Sequence, residues 1–437
     1  MTYDVIVVGA GLAGLTATCE LIDAGKKVLL VDQEPANSIG GQAFWSFGGV
    51  FLVDSPEQRR LGIKDSKDLA WQDWLGTAGF DRLDDEDTWG YRWARAYVNF
   101  AAGEKYSWLK SKGIKFFPVV GWAERGGSLA SGHGNSVPRF HIVWGTGPGL
   151  VEPFANKVLE AASSGRIDYK PRHKVTELIT ENGAVVGIQG HVLQPSDVQR
   201  GKESSREVIG DFEYRADAVV IASGGIGANL DLVKKNWPSR LGIPPERMVS
   251  GVPAYVDGSM LEIAEGVGGR LVNRDRMWHY TEGLKNWNPI WKNHGIRILP
   301  GPSSMWLDAL GNRFAAPNFP GFDTLSTLEA IQKTGYDYSW FILTEKIIEK
   351  EFALSGSEQN PDLTNKSIQD VIKRALPGPP KPVQAFKEYG EDFVIAHSLK
   401  ELVTGMNQLA GDELLDFIHI KEQVLARDRE IENTFTK

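Results

Sequence analysis

Residues 4–14 read Asp-Val-Ile-Val-Val-Gly-Ala-Gly-Leu-Ala-Gly, and residues 28–32 read Val-Leu-Leu-Val-Asp. Each apolar run is continuous, as a parallel strand covered on both faces requires. Between them Leu12, Leu15 and Leu21 can share one helix face, and Gly25 supplies a stop. The spacing predicts strand, turn, helix and strand, the crossover that parallel strands need. The turn fits G-x-G-x-x-G. Gly9 permits the tight exit from the strand, Gly11 lets backbone approach a pyrophosphate, and Gly14 lets helix pack on strand. Leu12 and Ala13 open the helix, whose free N–H groups and dipole favour a phosphate. Asp32 ends the second strand, placed to accept hydrogen bonds from an adenosine ribose, and Gln33 follows it. These residues predict a bound dinucleotide cofactor.

The rest of the chain narrows the class. A length of 437 residues suggests about two or three domains. Lys and Arg total 48 against 56 Asp and Glu, so a nucleic-acid partner is not expected. No stretch approaches the ~20 apolar residues of a membrane span. No basic region precedes the first apolar run, so no secretory signal is expected and the cytoplasm is the default compartment. The single cysteine, Cys19, excludes an internal disulfide and reads as helix core. No histidines pair at ligand spacing, and no metal is expected. The acidic run 81–87 reads as a solvated loop or helix face. Residues 195–208 read as a polar insertion between strands. Residues 377–383, rich in proline, read as a stiff connection, followed by helices near 394–410 and 412–434.

A second glycine-rich stretch follows Asp32 closely. Gly40, Gly41, Gln42, Ser46, Gly48 and Gly49 are interleaved with Phe44, Trp45 and Phe47. A flexible surface loop does not suit those aromatics. A backbone segment lying against a flat ligand does. With the Gly9–Gly14 turn and Asp32, this stretch resembles the fumarate reductase/succinate dehydrogenase flavoprotein superfamily. Within it, the chain is most similar to the 3-ketosteroid dehydrogenase-like branch of FAD-binding dehydrogenases. Further segments carry the resemblance in order. His173-Lys174-Val175 resembles the strand whose valine meets the adenine. Residues 217–227, with Ala222, Ser223 and Gly224 at their turn, resemble the second FAD contact. Asp257-Gly258 resembles the helix start near the flavin, and Leu307–Phe314 the Gly-x-Arg-Phe turn of the capping domain.

The resemblance implies an α/β fold: a Rossmann-type FAD domain, its parallel sheet flanked by helices and joined by a small β-meander, with an inserted α+β substrate-capping domain. The expected boundaries are residues 1–228 for the FAD domain, with a helical excursion near 60–150. Residues 229–437 are then mainly cap, with 250–272 returning to the FAD domain. FAD is expected to be noncovalent, because residues 42–46 lack the histidine of the covalent members. After Gly311 no adjacent glycine pair occurs, so the family's closing C-terminal segment reads as absent.

The implied reaction is FAD-dependent oxidation or reduction at a CH–CH group. Hydride passes between a substrate carbon and flavin N5, on a ketosteroid-like or other cyclic ketone. The alternatives are a fumarate-type dicarboxylate reductase and a flavin-binding protein without turnover as this chain stands. The expected partners are a small-molecule substrate and an electron acceptor of unassigned identity; homo-oligomerisation is left open. Such chemistry needs a base and a donor for enolate-like charge. His279 and Tyr280 occupy the stretch that faces substrate in the family, although the nearby tryptophans also suit an aromatic packing cluster. Arg139, close to His133 and His141, could grip a carboxylate with two N–H groups; the alternative is an ordinary surface or ion-paired arginine. Arg313 reads as structural.

Overall fold

The computed structural model describes residues 2–126, 134–374 and 376–435. His133 lies outside the described residues. The quoted stretches form β1 (Thr2–Val8), α1 (Leu12–Asp23) and β2 (Val28–Asp32). Next come β3 (Gly49–Phe51), α2 (Pro56–Arg60), α3 (Lys67–Ala78), α4 (Asp87–Ala102), α5 (Lys105–Ser111), β4 (Phe116–Gly121) and β5 (Phe140–Val143). Then α6 (Thr146–Ser163), β6 (Asp168–Pro171), β7 (His173–Glu181), β8 (Ala184–Leu193) and β9 (Val208–Ile221) complete the first half.

One six-stranded sheet runs β6-β2-β1-β9-β8-β7. Its first four strands are parallel, and β9, β8 and β7 form an antiparallel meander. Side chains alternate between faces along each strand. Val7 and Leu30 therefore enter a core with Leu15 and Cys19 of α1 and Phe154 and Val158 of α6. Ile6, Val8, Leu29 and Val31 enter the opposite core with Val175, Ile188 and Met260. Both faces are covered, which accounts for unbroken apolar strands. Met260 belongs to α8 (Ser259–Gly266), which follows α7 (Leu230–Lys235) and packs back onto this sheet.

Between β2 and α6 the chain makes more than a helical excursion. Four helices are joined by a three-stranded sheet of order β3-β5-β4. Arg139, just before β5, is the pin of this region. Its Nε and Nη2 donate to the two Asp65 oxygens at 2.8 Å each, and Nη1 donates to Asp73 at 2.7 Å. Its side chain is 3% exposed. This corrects the expectation that Arg139 clamps substrate: the fork that would hold a ligand carboxylate already holds two from α3 and the loop before it. His141 is equally internal, with Nε2 2.6 Å from Ser55 Oγ.

The acidic run is also corrected. It is interlocked with residues 270–276 rather than merely solvated. Arg82 bonds Asp275 at 2.7 and 3.0 Å, Asp81 meets Arg276 at 2.5 Å, and Asn273 donates to Asp87 at 3.0 Å. The acids meet a basic loop brought from nearly 200 residues away.

The second half contains small antiparallel sheets and helices. Met305–Asp308 pairs with Ser339–Ile342. Their apolar side chains pack with Val403 and Met406 of the helix Leu399–Ala410 and Ile420 of the helix Phe417–Glu432. Both helices start later than the sequence pattern suggests, at side-chain caps from Ser398 and Asp416. The Pro-rich connection also yields a helix, Lys381–Tyr389, with Pro382 in its first turn. A missing N–H costs nothing there. No helix among the described residues is long and apolar enough to cross a membrane.

Candidate cofactor and substrate site

The carboxyl ends of β1, β2 and β9 open onto a cleft of about 380 Å³, within the ~300–1,000 Å³ usual for small-molecule sites. Its wall begins at the Gly-rich turn, where each glycine answers a different constraint. Gly9 has φ +107°, and a Cβ there would lie 2.5 Å from the Ala222 carbonyl oxygen. A Cβ on Gly14 would lie 1.9 Å from the Gly9 oxygen. Gly11 is different: a Cβ would meet nothing within 4 Å and would enter the cleft. Leu12 and Ala13, also on the wall, place the start of α1 beside that space.

Asp32 stands across the turn. Its Oδ2 accepts the Ala10 N–H at 2.6 Å and its Oδ1 the Glu34 N–H at 2.7 Å. Desolvation at the strand end pushes its carboxyl up to about 6, against the opposing pull of these two N–H groups. Gln33, Gly41, Gln42, Val175, Ala222, Ser223, Gly224 and Asp257 all reach the same cleft. Asp257 also accepts the Ser259 N–H at 2.9 Å and so sets the start of α8.

Five residues expected at the cofactor are not among those lining this cleft. Gly14 packs helix on turn. Gly40 donates to the Ala10 oxygen at 2.8 Å, and a Cβ on it would strike Val151 of α6. Ser46 donates to the Ala43 oxygen and accepts from Gly48 N–H. Gly48 lies against Thr146, and Gly49 against the Phe140 ring. These residues let the second glycine segment lie close on α6 and β5. Their spacing could not separate ligand approach from backbone packing, because both demand a missing Cβ.

Sequence reasoning missed Glu34, a buried carboxylate two residues past Asp32 that also lines the cleft. An acidic residue next but one to the ribose position was the available signal.

His279 and Tyr280 do not line this cleft. His279 packs on Trp237 with ring centroids 4.7 Å apart, and burial pushes its pKa down. Its Nε2 is buried and has no hydrogen-bond partner among the described residues. Tyr280 is 54% exposed, and the Arg297 guanidinium sits 3.9 Å from its ring centroid. Arg297 lies 3.7 Å from Glu124 and 3.8 Å from Glu282. Burial pushes the Glu124 carboxyl up to about 7. No sequence signal linked Glu124 to Arg297. Arg313 lies in the turn after Met305–Asp308, 3.4 Å from Glu430.

A parallel sheet with a Gly-rich turn, an acid at the next strand end and a cleft at the carboxyl ends defines a dinucleotide-binding flavoprotein fold. The chain belongs to the FAD binding domain family, whose model matches residues 4–436. FAD is the cofactor of this family, and the chain is an FAD-dependent oxidoreductase. It is 62% identical over 434 residues to a KsdD-like steroid dehydrogenase of Mycolicibacterium smegmatis, covering 99% of this chain and 78% of that protein. Among solved structures it resembles a 3-ketosteroid delta1-dehydrogenase of Sterolibacterium denitrificans, with a TM-score of 0.62 and 15% identity. That match covers 99% of this chain and 80% of the other. It also resembles the open conformation of a flavocytochrome c3 fumarate reductase, with a TM-score of 0.61 and 19% identity, covering 99% and 62%. At such identities the structures speak for the fold.

The residues present fit FAD. Gly11 leaves the space that a close pyrophosphate needs, the start of α1 offers N–H groups, and Asp32 offers a carboxylate. Asp32→Ala is expected to weaken FAD binding by about 1.5–3 kcal/mol, roughly 10- to 150-fold. We assign the Asp32 carboxylate to the ribose hydroxyls, so FAD affinity should fall as pH drops below about 6. Asp32→Asn should lack that step. Flavin fluorescence after dilution reads both; a parent profile flat across this range would contradict the assignment.

Proposed function

We propose that this chain dehydrogenates a ketosteroid-like cyclic ketone at a CH–CH bond. The observation that carries the reading is the 62% identity, along nearly the whole chain, to a protein named as a KsdD-like steroid dehydrogenase. When bound, FAD supplies a two-electron acceptor for the substrate hydride. The protein must then bind the ketone, exclude water and handle a proton.

Tyr280 is the residue we assign to the ketone oxygen, with its Oη donating a hydrogen bond that strengthens as enolate-like charge develops. Arg297 under its ring fixes the ring plane by cation–π attraction. Burial keeps the His279 imidazole neutral, the form that can accept a proton. Exposed Trp278 and Trp287 offer flat apolar surface suited to a fused-ring substrate. A separate electron acceptor, the cytoplasm and noncovalent FAD complete the proposal.

The test is turnover of a 3-ketosteroid with an artificial electron acceptor. Tyr280→Phe should lower kcat by about 10²–10⁴-fold while the bound flavin spectrum stays that of the parent. Turnover of a small dicarboxylate but no steroid would move the assignment to a fumarate-type reductase. Bound flavin with no turnover of either would leave a flavin-binding protein.

A further inference from the structure

The polar insertion between β8 and β9 packs along the segment that follows Asp32, from Glu34, which lines the cleft, to Trp45. At one end it meets Glu34, two residues after Asp32. Arg206 Nη2 lies 2.6 Å from Glu34 Oε1, and Ser204 Oγ donates to Glu34 Oε2 at 3.0 Å. At the other end it meets the second glycine segment. Asn37 Nδ2 donates to the Val198 oxygen at 2.8 Å, and Arg200 Nη1 donates to the Ile39 oxygen at 2.7 Å. The Arg200 guanidinium also lies 3.8 Å from the Phe44 ring centroid. Gly201, with φ +86°, presses on Trp45 and Ile290; a Cβ there would approach them to 2.7 and 2.8 Å.

One buried residue outside the insertion gathers these contacts. Arg172 has φ +63°, a left-handed conformation rare for a side-chain-bearing residue. It donates Nε to the Gln194 oxygen at 2.9 Å, and Nη1 to the Gln33 oxygen at 2.8 Å and Ser204 Oγ at 2.7 Å. Its Nη2 donates to the Ser205 oxygen. The same guanidinium therefore holds a cleft-lining backbone carbonyl and the insertion. Glu34 N–H in turn donates to Asp32 Oδ1, so insertion, residues 33–34 and the ribose carboxylate form one connected set.

We propose that residues 195–207 are a cofactor-retaining strap and that Arg172 is its positioning residue. Glu34 and the second glycine segment cannot shift at this end while the strap keeps its bonds to Glu34 and Ile39 and its contact with Trp45 and Ile290. FAD release then requires those bonds to break first, and the strap sets the release rate.

The experiment follows flavin fluorescence after dilution of the holoprotein. Ser204→Ala/Arg206→Gln loosens only the strap side. It should speed FAD release at least about tenfold, with the FAD-free protein still unfolding in one cooperative transition. Arg172→Lys keeps the charge but loses the fork, and should give an intermediate rate. Tryptic cleavage after exposed Lys202 provides a second reading, independent of substitution. It should be slower in the holoprotein than in protein stripped of FAD. A parental release rate in the folded double variant would overturn the strap, as would equal cleavage with and without FAD.

Discussion

Gly11→Val is expected to yield a folded protein that purifies without flavin. Gly11 has φ −72° and ψ 177°, extended backbone that valine adopts readily. A Cβ there meets no protein atom within 4 Å. The added isopropyl group has one place to go, the cleft where the pyrophosphate must approach the backbone. FAD affinity should fall at least about 100-fold, roughly 2.7 kcal/mol, with thermal unfolding of the FAD-free protein unchanged. Visible absorbance and a melting curve of the same sample decide it. Gly14→Ala is the contrasting variant. Its Cβ would lie 1.9 Å from the Gly9 oxygen and 3.4 Å from Ala222 Cβ. Either the helix moves off the sheet or the turn opens, so stability and flavin should fall together. A yellow Gly11→Val protein would mean that the cofactor does not use this turn.

Arg139→Met should be the most destabilising of the substitutions considered. It removes the guanidinium that bonds both Asp65 and Asp73, whose side chains are 0% and 1% exposed. Neutral donors remain: Ser66 N–H and Gln58 on Asp65, Ser136 on Asp73. On Asp65 they satisfy oxygens without neutralising the buried charge. Breaking a buried pair from one side costs about 3–5 kcal/mol, a large share of a typical ~5–15 kcal/mol stability. Arg139→Lys should recover part of this, since a point charge cannot reproduce the fork. Urea unfolding measures the loss. A variant of parental stability that had lost steroid turnover would return Arg139 to the substrate site.

The contrast between these arginine and glycine positions shows which parts of the molecule were legible. Two runs of apolar residues and three glycines specified β1, α1, β2 and the turn, because their constraints act within one short stretch of backbone. The ribose acid was legible for the same reason: Asp32 sits at a fixed distance along the chain from Gly9, and the parallel pairing of β1 and β2 carries it across the turn. Gly40, Gly48 and Gly49 were legible only as sites of close approach. That Val151, Thr146 and Phe140 come close to them was decided by α6 and β5.

Charge was the least legible property, since a charged side chain announces no partner. Arg139 suggested a substrate clamp until Asp65 and Asp73 closed on it. The acidic run suggested solvent until Arg270 and Arg276, nearly 200 positions away, met Asp85 and Asp81. The insertion 195–208 read only as a polar interruption between strands, yet Arg172 and Glu34 tie it to the cleft. By itself, then, the sequence determined the nucleotide-binding unit, the FAD family and the strands that carry them, because backbone geometry and side-chain periodicity are local. Only the tertiary structure decided which polar residues face the cleft and which are consumed holding its walls. Ion pairs and hydrogen bonds depend on distances of a few ångströms between residues often more than a hundred positions apart.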